Sequence, residues 1–288
     1  MREPLGTVRN AYATAIATML TVLVVHPVAA AEPLKVGMVP DAGATQMSID
    51  EKAPLQKYLS AKLGRPVRLI IPTNYNATVE GIGNGSLDIA YLGGLTYVKA
   101  HARYGAIPLV QRDIDRQFHS LFIARADSGI ATLGDLRGKT FCFGDINSTS
   151  GHLMPREILK DAGLQVDTAL KSVRHTGSHP ATALAVATGA CDAGALDETV
   201  FKSLVEQGKL SVDAVKVFYT SRPFADYVWV ARKDLSDAER NAFADALLSL
   251  QAGKDGAVLD ILRGKKFVPA DDESYRAVAD TAKELNLL

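Results

Sequence analysis

The stretch GDINSTSGHLMPREILKDAG, residues 144–163, places three hydroxyl side chains and a glycine directly before a helical pattern. Ser148, Thr149 and Ser150 are small donors, and Gly151 lets other atoms come close to the backbone. The first turn of a helix has unpaired N–H groups and a partial positive charge, which together favour a bound anion. One hydroxyl is enough for an ordinary helix cap, so on this stretch alone capping is the simpler interpretation.

The two cysteines could supply a second kind of chemistry. Cys142 in KTFCFG and Cys191 in GACDAGAL both lie where buried strands are expected. A disulfide between adjacent strands is possible there, whereas a soft-metal site would need more soft ligands nearby. We favour two inert core residues, because a free cysteine packs as a small hydrophobe. We therefore expect neither a metal nor a cofactor.

The common enzyme motifs are not found in the sequence. GDLRGKT, residues 134–140, has three residues between its glycines where a P-loop has four, and it leads into a strand instead of a helix. Neither a G-x-S-x-G elbow nor an H-E-x-x-H motif occurs. A serine hydrolase that uses Ser148 and His179 stays open on spacing alone, although no oxyanion-hole motif supports it. We expect a protein that performs no chemistry.

The N-terminal residues 1–31 have the pattern of a secretory signal peptide. Two arginines precede a mostly apolar run at 15–25, and Ala29 and Ala31 fit an A-x-A cleavage site. The cleavage site has no cysteine, so we expect a periplasmic protein without a lipid anchor; an uncleaved anchor is the alternative.

The overall charge excludes one large class of partners. The chain has 32 basic and 32 acidic residues and a formal net charge of zero. Nucleic-acid binding calls for a basic face, which this balance does not suggest. A neutral chain can still hold a small anion through local N–H dipoles, and we expect it to be a monomer.

Strand and helix patterns alternate along the chain, and their order repeats. Four residues recur 104 positions later: Thr78, Gly85, Asp88 and Leu92 correspond to Thr182, Gly189, Asp192 and Leu196. Matching element order on both sides predicts an α/β protein with two lobes, each a mostly parallel sheet flanked by helices. We assign turn or cap roles to the two repeated aspartates.

The loops that lead from strands into helices should carry the site, because ligands of such sheets bind at the carboxyl ends of the strands. These loops are residues 40–46, 72–76, 93–94, 145–151, 175–180 and 197–198. QFHSLFIARADS and DYVWVARKDLS are both extended and apolar, and they predict two paired hinge strands, about 119–128 and 226–232. The first lobe would then comprise 32–122 and 227–288, and the second 123–226.

Several motifs together resemble one protein family. GNGSLDIAYLG, GDINSTSGHLMP, HTGSH and VATGACDAGALDE are similar to the phosphonate- and phosphite-binding members of the periplasmic solute-binding proteins, the receptors of ABC importers. The similarity covers about residues 34–265, and N-S-T-S-G is its most specific part. It implies a type II periplasmic binding protein fold, with two lobes that close on the ligand by hinge motion. NYNATVEG followed by LGGLTYVKA looks closest to the phosphite-binding branch.

The resemblance also implies a set of ligand-binding positions. In the family, the N-S-T-S-G hydroxyls and N–H groups hold the phosphorus oxyanion, and a tyrosine, a histidine and acidic residues complete the site. Gln46, from the first loop, is a weaker candidate that rests on its place before a helix. The expected ligand-binding residues are Gln46, Tyr75, Tyr91, Ser148, Thr149, Ser150, Gly151, His179, Asp197 and Asp226.

Acidic residues beside an anion restrict the ligand. An ionised carboxylate only accepts hydrogen bonds, so Asp226 and Asp197 would need a P–OH or an ammonium group from the ligand. They would reject a fully deprotonated anion such as sulfate. For Asp197 a helix cap is an equally good interpretation, and Glu198 is an alternative to it.

One departure from the family pattern bears on the ligand. Binders of aminoalkyl phosphonates can have a tyrosine at the end of the L-D-I-A strand, where this chain has Leu92, with Tyr91 one place earlier. One place along a strand changes the face of the sheet, which argues against an aminoalkyl ligand. Phosphite or a close analogue is therefore expected. A periplasmic sensor subunit, such as an arsenite binder that uses cysteine, is the alternative function.

Overall fold

The computed structural model describes residues 1, 32–40 and 49–288 of the 288-residue chain. Residues 32–288 form one compact unit. Apart from Met1, the predicted signal peptide lies outside the described residues, and so does Gln46. Within the described ranges, no helix is long and apolar enough to cross a membrane.

The strands of the described residues alternate with helices along most of the chain. The strands are β1 (Leu34–Met38), β2 (Val67–Ile70), β3 (Ile89–Leu92), β4 (Ile107–Arg112), β5 (Ser120–Arg125), β6 (Thr140–Phe143), β7 (Ser172–His175), β8 (Ala193–Asp197), β9 (Val215–Thr220), β10 (Val228–Ala231) and β11 (Phe267–Pro269). The helices are α1 (Ala53–Leu63), α2 (Tyr75–Asn84), α3 (Gly94–Tyr104), α4 (Met154–Asp161), α5 (Val166–Ala169), α6 (His179–Ala187), α7 (Glu198–Glu206), α8 (Asp237–Leu248), α9 (Gly256–Leu262) and α10 (Arg276–Glu284).

Two sheets organise these elements. The first has the order β11-β4-β10-β3-β1-β2, and the second has the order β7-β6-β8-β5-β9. We call the residues around the first sheet the first lobe and those around the second sheet the second lobe. In the first sheet β1 is parallel to β2 and β3, and in the second β6 is parallel to β7 and β8.

Both sheets are mixed, where the sequence predicted mostly parallel sheets. β10 runs antiparallel to β3 and β4, β11 runs antiparallel to β4, and β5 runs antiparallel to β8 and β9. β5 and β10 are the strands that directly follow each passage of the chain between the sheets. They therefore enter their sheets from the end opposite to that of the preceding parallel strands. The alternation of strands and helices in the sequence does not show this reversal of direction.

The chain crosses between the sheets just before the expected hinge strands. Phe118 and Phe224 exchange two backbone hydrogen bonds, with N···O distances of 2.9 and 3.0 Å. Ser221 N donates to Ser120 O, and Asp226 N donates to Asp115 O, both at 3.0 Å. The pairing that the sequence placed at 119–128 and 226–232 thus lies at 115–120 and 221–226. β5 and β10 do not pair with each other but belong to separate sheets.

The repeated aspartates hold equivalent positions in the two lobes. Asp88 accepts from the backbone N of Lys35 at 2.8 Å, and Asp192 accepts from Thr140 N at 2.7 Å. Asp88 precedes β3 and fixes the start of β1, with which β3 pairs. In the same way, Asp192 precedes β8 and fixes the start of β6, with which β8 pairs. Their structural role agrees with the turn or cap role expected from the sequence.

The prediction of two free cysteines is wrong, because Cys142 and Cys191 form a disulfide. Cys142 lies in β6, whereas Cys191 lies two residues before β8 instead of within a strand. β6 and β8 are neighbouring strands, so the end of the turn before β8, where Cys191 lies, is next to Cys142. Both residues are buried, so the bridge ties the second lobe together from inside.

The C-terminal tail completes the first lobe. Phe243 and Leu247 of α8 and Val258 of α9 belong to the core around the first sheet, which also holds the fully buried Trp229. Val278 of α10 joins the same core. The second lobe has its own core on both faces of its sheet.

Candidate functional site

The turn after β6 forms the helix start that the sequence predicted. A π-helical turn, Thr149–Leu153, leads directly into α4, and Ser148 is its N-cap. The Ser148 hydroxyl accepts from Gly151 N at 3.0 Å. Ser148, Thr149 and Ser150 are at most 2% exposed although they lie in a loop. Their burial indicates that the lobes are closed over this turn.

Close packing explains the glycine in this turn. A Cβ atom on Gly151 would lie 2.9 Å from the Ser148 Oγ and 3.0 Å from Cε1 of His179. Real Cβ atoms essentially never come within 3.0 Å of another atom, so any larger residue here would force the Ser148 hydroxyl to shift. The same distances show that His179, from the second loop of this lobe, lies beside the turn.

A helix of the first lobe points its N-terminus at the same place. Gly93 precedes α3 and offers no side-chain cap. Gly94 N instead donates to the Asp226 Oδ1 at 2.9 Å, and Leu95 N donates to the Thr149 Oγ1 at 3.0 Å. Thr149 comes from the second lobe, so its hydroxyl joins the two lobes directly.

The N–H groups of Gly94 and Leu95 were missing from the predicted site residues. The loop 93–94 itself was recognised, and its two glycines were the available signal. A Cβ on Gly93 would lie 3.2 Å from the Asp226 Oδ1 and 3.3 Å from the Thr149 Oγ1.

His179 is the first residue of α6 and is 1% exposed. Its Nδ1 accepts from the backbone N of Asp197 at 3.2 Å, so the ring proton is assigned to Nε2. Nε2 lies 3.2 Å from the hydroxyl of Tyr227, to which it donates. Tyr227 lies between Asp226 and β10, and no sequence motif pointed to it.

Asp197 is the N-cap of α7, which agrees with the capping interpretation. Its Oδ1 accepts from Thr199 N at 2.6 Å, from the Thr199 hydroxyl at 2.7 Å and from Val200 N at 2.9 Å. The buried Oδ2 has no hydrogen-bond partner among the described residues. The alternative acid, Glu198, is held by the backbone N and the ring of His119.

The charge of Asp197 is stabilised in spite of its burial. Burial alone would raise the pKa of its carboxyl group. His179, Arg263 and Arg112, together with the Thr199 hydroxyl, outweigh burial and hold the pKa of Asp197 below its usual value. Asp197 is thus an ionised carboxylate.

Asp226 has the opposite electrostatics. Burial raises the pKa of its carboxyl group to about 7, and the hydrogen bonds from Gly94 N and Thr149 only partly oppose this. Asp197 and Asp115 raise the pKa further by repulsion. Its Oδ2 is buried and has no hydrogen-bond partner among the residues described. Near neutral pH Asp226 can therefore hold or release a proton.

The two predicted tyrosines, Tyr75 and Tyr91, are buried in the first lobe. Tyr91 stacks on Tyr227, with ring centroids 5.1 Å apart, and contacts Trp229 at 4.9 Å. Both Tyr91 and its neighbour Leu92 are buried. Tyr75 is buried at the first residue of α2, after the loop 72–76.

An arginine that the sequence did not single out lies behind these tyrosines. Arg112 is fully buried, and two of its nitrogens donate to Asp115. Its guanidinium lies 5.2 Å from the ring centroid of Tyr227. Arg222, in the crossing segment 221–226, donates to Glu157.

The site is thus built from helix N-termini of both lobes. The starts of α3, of the Thr149–Leu153 turn, of α6 and of α7 are linked through the contacts Leu95–Thr149, Gly151–His179 and His179–Asp197. Each contributes a partial positive charge, and together they favour a small anion. In the part of the chain that the structure describes, no three His, Cys, Asp or Glu side chains are grouped as a metal site requires.

Two lobes joined by two crossing segments, with helix N-termini in the cleft, define a type II periplasmic binding protein. The family model for the periplasmic substrate-binding protein of phosphonate ABC transporters matches residues 36–275. The chain belongs to this family, whose members are periplasmic.

Curated relatives differ in the ligand that their names give. The probable ABC transporter phosphite binding protein PhnD1 of Prochlorococcus marinus is 33% identical over 268 residues, which are 88% of this chain and 90% of the relative. The phosphate-import protein PhnD of Mycolicibacterium smegmatis is 34% identical over 195 residues, 63% of this chain and 61% of the relative.

A solved structure of Prochlorococcus marinus PhnD1 in complex with methylphosphonate has the same fold. It superposes with a TM-score of 0.83 at 31% identity, and the match covers 88% of this chain and 98% of that chain. The relatives are substrate-binding transport proteins, and the fold expected from the sequence is confirmed.

Proposed function

We propose that this protein captures phosphite, or a closely related phosphonate, between its lobes and delivers it to the permease of an ABC importer. The N-termini of α3 and α6 that meet at the turn with the buried hydroxyls of Ser148, Thr149 and Ser150 carry this proposal. N–H and hydroxyl donors at such a point bind a compact oxyanion without a full positive charge. The protein holds the ligand and performs no chemistry on it.

The two carboxylates favour a ligand that still carries a proton. Asp197 and Asp226 each have one buried oxygen without a partner among the described residues. A P–OH group can donate to such an oxygen, whereas sulfate has no proton at neutral pH. Repulsion from the ionised Asp197, and from Asp226 in its ionised form, therefore disfavours sulfate and favours a singly protonated phosphorus anion.

The same acids argue for a small ligand rather than an aminoalkyl phosphonate. An ammonium group would need its own carboxylate, but Glu198 is held by His119 and one oxygen of Asp197 caps α7. The names of the relatives, phosphite and phosphate, are consistent with a compact anion. Phosphite, hypophosphite and methylphosphonate remain the ligands to compare.

Export and partners follow from the same proposal. We propose that residues 1–31 are a signal peptide that is removed, that the mature protein is a monomer without a lipid anchor, and that an ABC permease accepts its closed form. N-terminal sequencing of the exported protein should begin at Glu32. Stimulation of the permease ATPase by the loaded protein tests the partnership.

A thermal-shift screen tests the ligand class. A ligand present at 100 times its Kd stabilises the folded state by about 2.7 kcal/mol, which raises the melting temperature by several degrees. We expect this for phosphite, a smaller effect for phosphate and none for sulfate. The absence of any shift with phosphite, hypophosphite and methylphosphonate would refute the proposal.

The sensor alternative finds no support in this site. An arsenite binder of that kind needs free thiols, and neither cysteine of this chain is free.

A further inference from the structure

Helix α10, near the C-terminus, contacts helices of both lobes. Val278 and Ala282 bury one side of α10 in the core of the first lobe, next to α3. Another side of α10 contacts α4 of the second lobe. The N-termini of α3 and α4 both face the ligand site. α10 packs along the sides of these two helices and so connects them.

A buried acid forms the centre of this bridge. Glu157 of α4 is 8% exposed, and Thr281 of α10 is 5% exposed. The Glu157 Oε1 accepts from the Thr281 hydroxyl at 2.8 Å, and its Oε2 accepts from the Arg222 Nη2 at 2.6 Å. Arg222 lies in one of the segments that cross between the lobes. Glu157 thus links α4, α10 and the crossing segment.

Apolar and charged contacts extend the bridge on both sides. Leu153 and Met154, at the start of α4, are buried with the core of the first lobe although they belong to the second. At the rim, Lys160 of α4 forms an ion pair with Glu284 of α10. The lobes therefore meet over a continuous surface that extends away from the ligand-binding turn.

We infer that Glu157 and Thr281 are positioning residues for ligand binding, because their hydrogen bond holds the second lobe closed on the first. α4 is continuous with the Ser148–Gly151 turn, so a hinge motion that separates Leu95 from Thr149 also separates α4 from α10. Opening would leave the buried carboxylate without its Thr281 partner. The bond shifts the equilibrium between open and closed forms, and apparent affinity follows the closed population.

The matched variants Thr281→Val and Thr281→Ser test this inference, which rests on the proposed function for its ligand. Valine keeps the shape of threonine and loses the hydroxyl, whereas serine keeps the hydroxyl. With exported protein and phosphite in a calorimeter, we expect a Kd roughly five times higher for Thr281→Val, as one hydrogen bond implies. Thr281→Ser should stay within about twofold of the wild type.

A double-mutant cycle with Glu157→Gln separates a direct bond from two independent effects. The Kd of the double variant for phosphite should be about equal to the higher of the two single-variant Kd values. Equal Kd values for Thr281→Val, Thr281→Ser and the wild type, or fully additive losses, would overturn the inference. Melting temperatures of the ligand-free variants show whether each variant is folded.

Small-angle scattering of the ligand-free proteins gives a readout that does not depend on the ligand. Thr281→Val should have a larger radius of gyration than Thr281→Ser, because more molecules are open. If no phosphorus anion binds but the radii still differ in this way, the proposed function fails while the closing role of Thr281 stands. Identical radii would contradict that role.

Discussion

The Thr149 Oγ1 lies 3.0 Å from the backbone N of Leu95, so a side chain of the second lobe accepts from the first turn of a first-lobe helix. The same hydroxyl interacts with Asp226, whose carboxylate binds Gly94 N. The residue expected to hold the ligand therefore also joins the lobes. In the proposed function, ligand binding and closure of the lobes depend on this one side chain.

Thr149→Ala removes both interactions at a buried position. We expect phosphite to bind at least about fivefold more weakly, since an unsatisfied buried N–H group costs about 1–3 kcal/mol. Thr188→Ala is the matched control, because the exposed Thr188 hydroxyl bonds only within its own helix region. Calorimetric titration of both variants tests this. An unchanged Kd for Thr149→Ala would remove Thr149 from the site.

Gly151→Ala should abolish binding and leave the rest of the second lobe folded. The added Cβ would come 2.9 Å from the Ser148 Oγ and 3.0 Å from the His179 Cε1, so the turn and the histidine must move apart. Gly253→Ala is the control, because no atom lies within 4 Å of its added Cβ. Circular dichroism and calorimetry report folding and binding separately. Normal phosphite binding by Gly151→Ala would mean that this turn is not the anion site.

Asp226 predicts a specific pH dependence of ligand-free stability. Burial raises its pKa from 3.8 to about 7, so the folded state binds a proton that the unfolded state releases at lower pH. This contribution to stability is full below pH 3.8 and is lost as the pH rises through about 7. Asp226→Asn removes it.

Melting temperatures of the wild type and Asp226→Asn between pH 5 and 8 measure this contribution. The melting temperature of the wild type minus that of Asp226→Asn should decrease as the pH rises. His152, whose pKa burial lowers to about 3, gives an opposite trend in both proteins, so it cancels in the difference. A difference that does not change with pH would show that Asp226 has an ordinary pKa.

The disulfide predicts a loss of stability without a loss of the site. Cys142 and Cys191 are 49 residues apart, and a bridge over such a loop contributes about 2–4 kcal/mol. The double variant Cys142→Ala/Cys191→Ala should melt roughly 5–12 °C lower and bind phosphite within about twofold of the wild type. Thiol titration of the denatured, unreduced protein should find no free thiol. Two titratable thiols would contradict the pairing.

The order of elements could be read from the sequence, while the direction of two strands could not. The repeat of Thr78, Gly85, Asp88 and Leu92 after 104 residues marked two equivalent lobes, and Asp88 and Asp192 make equivalent hydrogen bonds. The directions of β5 and β10 depend on where the chain crosses between the sheets. The sequence placed the crossing near QFHSLFIARADS and DYVWVARKDLS, but it did not show that each strand then joins a separate sheet in the antiparallel direction.

The side-chain part of the site was more predictable than the rest. Ser148 caps the start of a helix, and Thr149 and Ser150 follow it directly, so the place of these three residues in the fold could be predicted. The N–H groups of Gly94 and Leu95 belong to the backbone, and only the closed arrangement of the lobes brings them to Thr149. Cys191 looked like a strand residue because the apolar pattern continues into β8.

The most direct test of the account is a calorimetric titration of the exported protein with phosphite, methylphosphonate, phosphate and sulfate at pH 7. Wild-type protein should bind phosphite most tightly with a stoichiometry of one and should not bind sulfate. Asp226→Asn should bind phosphite more weakly and lose part of its discrimination against sulfate, because the repulsive carboxylate is gone. Equal affinity of the wild type for sulfate and phosphite, or no binding of any phosphorus anion, would contradict the account.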